Sequence, residues 1–158
     1  MELRWDDEGW HFEEMDSLVT ELLGHVPSCA MLQDDAAEAR IFTSPTQGAD
    51  ASDDQDWREN VVPELRELFQ SHVDVVSGDL ARMKTEGETS AIDIPVANSC
   101  AWIHTLNQAR LALGAKHGIT EEEIEARRKV HGVDKSYALL QIDFYGMLLG
   151  LILSRTEL

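Results

Sequence analysis

The residues best able to do chemistry lie in one run, Trp102 to Gly114, which reads Trp-Ile-His-Thr-Leu-Asn-Gln-Ala-Arg-Leu-Ala-Leu-Gly. At helical spacing, Cys100, His104, Asn107 and Leu111 share a stripe. Thiol, imidazole and amide are the residue types of a cysteine-nucleophile site. Such sites draw their members from separate elements, and a thiolate needs a positive local field. A stripe along a single helix supplies neither, so the preferred reading is a semi-buried helix face with a satisfied histidine. Trp102, Leu106, Ala109 and Leu113 form an apolar seam beside it.

Arg110 flanks that stripe. On the last apolar stretch Leu139, Asp143, Gly146 and Gly150 also recur on one face, and two glycines four apart let another backbone approach closely. A carboxylate on a close-approach face cannot be left bare, and arginine's forked donors match its two oxygens. The expectation is an Asp143–Arg110 ion pair where two helices cross at Gly114 and Gly146, in a structural role. The alternative is a pocket around His104, Asn107, Arg110 and Asp143 that binds a small ligand or supports an enzymatic reaction. No residue is assigned a catalytic role.

Metal ligation has little support. His11, His25, His72, His104, His117 and His131 are scattered, without an H-x-x-x-H or C-x-x-C spacing. No phosphate-binding glycine loop and no G-x-S-x-G elbow occurs. No metal and no cofactor is expected. Arg127-Arg128-Lys129 with Lys135 is the one basic cluster, and Glu123 and Glu125 precede Arg127 and Lys129 by the four residues that favour helical ion pairs. A solvated, paired helix face is the default there, with anion binding as the alternative.

The elements that must position these groups are mostly helical. Leu3, Trp5, Trp10 and Phe12 alternate with polar residues around Asp6-Asp7-Glu8-Gly9, which predicts an N-terminal β-hairpin over 1–12. Met15, Leu18, Val19, Leu22 and Leu23 predict a helix from about Glu13 to His25, closed by Pro27. Residues 43–56 read as a mobile acidic surface loop. A helical stripe runs from about Asp56 to Lys84, with Pro63 suited to a restart near Val62. Thr85 to Ser90 reads as a turn and Ile92-Asp93-Ile94 as a short extended piece before Pro95. Helices follow over about Pro95–His117, from the Thr120–Glu123 capping box to about His131, and over Asp134–Ser154. The last, apolar nearly all round but interrupted by Gln141 and Asp143, reads as the buried centre of a bundle rather than a membrane span. The fold class is therefore mainly α. A bundle of about four to six helices packs around the last one, with a small N-terminal β-hairpin, in a single domain over 1–158.

Charge narrows the function. The 158 residues carry a formal charge of −17, and residues 1–60 hold 16 acids against three bases. Such a protein repels phosphate backbones and anionic membranes, so no nucleic-acid and no membrane partner is expected. Two cysteines, Cys29 and Cys100, give no disulfide framework. The N-terminus, Met-Glu-Leu-Arg-Trp-Asp-Asp-Glu, lacks the pattern of a signal peptide. A cytoplasmic location is expected.

The Trp102–Gly114 run, followed by Lys-His-Gly-Ile-Thr-Glu, resembles the signature of a bacterial family catalogued as domain of unknown function twenty-seventeen. The resemblance implies an N-terminal extended piece leading into a helix, an acidic middle and an apolar closing helix; it implies no catalytic residues. Its members are encoded in some bacteria beside an adaptor of the Clp protease, which implies a connection with protein turnover. Together these readings give an uncharacterised, non-enzymatic acidic interaction module that meets a protein partner or forms a homodimer. The acidic N-terminal third would face the partner, through an apolar patch expected at Trp5, Trp10 and Phe12.

Overall fold

The computed structural model describes residues 1–31, 34–126 and 133–155. The N-terminal hairpin forms as its alternation predicts, from β1 (Glu2–Asp6) and β2 (Gly9–Met15). Gly9 does more than turn the chain. Its φ is +146°, and a Cβ there would stand 2.1 Å from the Ile94 carbonyl oxygen. Only glycine lets β2 begin that close to a second hairpin, built from β3 (Lys84–Glu86) and β4 (Thr89–Pro95). The four strands form one antiparallel sheet in the order β1-β2-β4-β3. A bulge between Phe12 and Met15, with Glu14 at φ +51°, re-aims the end of β2 so that Met15 is fully buried.

The helices that follow are short at first: α1 (Ser17–Gly24), α2 (Val26–Ala30), α3 (Asp35–Ile41) and α4 (Ala51–Asp56). Asp16, Asp34 and Asp50 cap α1, α3 and α4 by accepting from backbone amides of their first turns. The acidic stretch at 43–56 is thus half helix, because Asp50 starts α4 and Asp54 accepts from the Ser44 and Thr46 hydroxyls. A wider π turn over Trp57–Val61 leads into α5 (Val62–Leu80), which restarts with Pro63 in its first turn. Then come α6 (Ser99–Lys116), α7 (Glu121–Ala126) and α8 (Val133–Leu153). Gly118 at φ +57° closes α6, with the Ile119 amide donating to Gly114 O. The Thr120–Glu123 capping box forms: the Thr120 amide donates to Glu123 Oε2 at 2.9 Å and the Glu123 amide to Thr120 Oγ1 at 3.3 Å. The described residues are 66% helical with a small sheet, hence mainly α. Arg127-Arg128-Lys129 and the helix end at His131 lie outside the described residues.

The packing centre is α6, not α8 as expected. It touches α8, α2, α3 and α5 because its buried positions extend around more than one face. Trp102, Leu106, Ala109 and Leu113 form one seam, while Ala101, Thr105 and Ala112 form a second, small-residue flank that lets α2 and α3 come near, with Gln108 donating to Ala30 O. By contrast, α8 buries a single stripe, Ala138, Ile142, Tyr145, Leu148 and Ile152. The sheet's inner face supplies Trp10 (3% exposed) and Phe12 (1%) to the same core. That overturns the expectation of an exposed hairpin patch: alternation puts both rings on the side that faces the helices, and Trp5 is half-buried against Trp10 at 4.8 Å between ring centroids.

Candidate cleft between the central helix and the capping-box helix

The expected ion pair is not formed. Asp143 is exposed, and among the described residues no carboxylate lies within 4 Å of the Arg110 guanidinium. The glycines explain why. Gly146 makes room for the guanidinium itself rather than for a helix backbone: a Cβ there would stand 3.3 Å from Arg110 Nε and 3.4 Å from Cζ. Asp143, three residues earlier, is turned off that face toward solvent. Gly114 borders open space, so the two glycines do not mark a crossing point.

Arg110 projects instead into a cleft of about 660 Å³ between α6, α7 and α3. Asn107 and Arg40 stand at its exposed rim with Leu111, Thr120 and Glu121; Ile119 and Ile124 are half-buried in its walls, and Ile142 is buried at its floor. Arg110 Nε is buried without a hydrogen-bond partner, and Arg40, like Arg110, has no carboxylate within 4 Å among the described residues. Of the four residues singled out from sequence, the cleft brings together Asn107 and Arg110. His104 and Asp143 do not line it. Arg40 was missed, since α3 has too few periodic apolar residues to say which way its side chains point.

The Cys100–His104–Asn107–Leu111 stripe forms as one face, and all four residues are exposed. The His104 ring stacks on His72 of α5 with centroids 4.7 Å apart and planes 7° from parallel. Burial, then the neighbouring His104, holds His72 below the usual histidine range. Cys29 is half-buried, and burial pushes its thiol up, the opposite of what a nucleophile requires. Among the described residues no three His, Cys, Asp or Glu side chains converge to hold a metal ion.

A second charged group escaped the sequence reading. Asp79 of α5 is fully buried, and three side chains donate to its carboxylate. Trp102 Nε1 donates to it at 2.8 Å, Asn98 Nδ2 reaches both oxygens at 2.8 and 3.0 Å, and Arg82 pairs with it from the next turn. The signal was present: Val73, Val76 and Asp79 share a core-facing spacing of three, so an acid stands where the pattern calls for an apolar residue. This network ties α5 to α6 and to the 3₁₀ turn that precedes it.

A family model described as domain of unknown function (DUF2017) matches residues 5–155. No curated protein and no solved structure matches the chain.

Proposed function

The chain belongs to the DUF2017 family, and from that premise we propose that it is a non-enzymatic, acidic helical interaction module of the bacterial cytoplasm, connected with regulated protein turnover. The observation that carries this reading is the outer face of α8. Leu140 (42% exposed) and Met147 (46%), seven residues apart, share one exposed apolar face of a helix of about 31 Å. Mean hydropathy over the most apolar 18 residues of Asp134–Leu153 is 1.5, and 39% of those residues are buried. An apolar stripe within a strongly charged surface is the composition of a docking face.

The partner is a different protein rather than a second copy. Asp143 sits within the stripe between Leu140 and Met147, and the stripe offers no cation. A twin would bury two such carboxylates unpaired and bring together two bodies of charge −17. An amphipathic helix with a lysine or arginine opposite Asp143 and a basic margin meets both requirements. The adaptor of the Clp protease, named by the family resemblance, is the first partner to assay.

The test captures proteins from a cell extract on the wild-type chain, on Met147→Glu and on Asp143→Lys, then measures the affinity of each purified candidate. Both substitutions are at exposed positions. A partner held by the wild type and weakened about tenfold or more by each variant supports the reading. Identical retention by all three chains would refute it, and a dimer that dissociates in Met147→Glu would replace the foreign partner with a second copy.

A further inference from the structure

We infer that the cleft between α6 and α7 is a binding site for a small monocarboxylic acid with an apolar body, its carboxylate held by Arg110 and Arg40. This is independent of the α8 face. In a chain with 30 acidic residues, the two arginines that line this cleft are left without a carboxylate within 4 Å among the described residues. Arg110 is also held in place. Gly146 backs its guanidinium, and its Nε is withdrawn from solvent with no hydrogen-bond partner. A guanidinium fixed at the wall of a concave space, with no carboxylate of its own, is a preorganised receptor for a planar oxyanion.

The rest of the cleft selects among oxyanions. Ile119, Ile124 and Ile142 offer an apolar bed that sulfate or inorganic phosphate would leave unused. Glu121 at the rim and the surrounding negative field oppose a second negative charge on the ligand. One carboxylate on a hydrocarbon body fits both conditions, and about 660 Å³ is ample for it.

The experiment is an amide-resolved NMR titration of the full chain with hexanoate, its uncharged analogue hexanamide, and inorganic phosphate. Hexanoate should produce saturable shifts at Gly114, Gly118 and Ile119, with hexanamide about tenfold weaker or worse. Arg110→Gln should lower hexanoate affinity about tenfold and Arg40→Gln about threefold, the rim cation being more screened. Arg40 is exposed, so its variant carries the test if Arg110→Gln proves unstable. The inference is overturned by hexanamide binding as well as hexanoate, by phosphate saturating the same amides at lower concentration, by unchanged hexanoate affinity in the variants, or by no saturable shift up to about 20 mM, beyond the millimolar range of weak sites.

Discussion

Asp79 and Arg110 are both charged residues on core-facing helices, and the molecule treats them in opposite ways. The carboxylate of Asp79 is closed in by an indole, an amide and a guanidinium, so its charge is fully matched by the protein. The guanidinium of Arg110 is fixed by Gly146, opens onto a cleft, and is matched by no acid among the described residues. A charge matched internally holds the fold together, whereas one held in position without a mate is free to serve an outside ligand. Asp79 is fully buried and Arg110 half-buried, but it is the count of partners that assigns their roles.

The contrast can be broken in four ways. Asp79→Ala should lower the unfolding free energy by about 2–5 kcal/mol, because it strands the Trp102 and Asn98 donors; urea denaturation reads the change. Asn98→Ala, which removes one donor while leaving the carboxylate its indole and guanidinium, should cost about 1–2 kcal/mol in the same assay.

The third test uses a charge matched only conditionally. His11 lies between Asp93 (Nδ1 at 2.7 Å) and Asp6 (Nε2 at 3.0 Å). Hydrogen bonds to Asp6 and then Asp93 hold its pKa above the usual histidine range, and the same imidazolium keeps Asp6 down at about 2. Since the folded pKa is the higher one, this stabilisation is complete below about pH 6.5 and lost as pH rises through the raised value. The thermal midpoint should therefore fall by roughly 2–4 °C between about pH 6 and pH 8, and His11→Gln should flatten that slope.

Smallest of all, Arg110→Gln should change stability by less than about 1 kcal/mol, since no internal ion pair is lost. A loss like that of Asp79→Ala would mean that Arg110 is structural and that the contrast is wrong.

Much of this was legible in the sequence where local rules apply. The N-terminal hairpin, the Pro63 restart, the Gly118 closure and the Thr120–Glu123 box each depend on residues a few positions apart, and each formed. The second hairpin was half legible. Ser90, Ile92 and Ile94 alternate inward, but β3 is Lys-Thr-Glu, exposed throughout, and carries no apolar signal. The site was least legible because it depends on rotation about the helix axis. Placing Asp143 and Gly146 on one nominal face hid the turn that sends the acid outward and leaves the glycine against Arg110. Arg40 reaches the cleft from about 70 residues away, a distance no helical periodicity spans.

The pairing of β2 with β4 also sets an order of events during synthesis. Trp10 faces Ile94 and Phe12 faces Ile92 across the ladder, so the rings of the first hairpin lack their β4 neighbours until about 80 more residues have been made. At ordinary elongation rates that wait is roughly 4–16 s. Over that interval a newborn chain shows its two most buried N-terminal aromatics to the surroundings, and a holding chaperone that shields aromatic hairpins would raise its yield more than one acting after release.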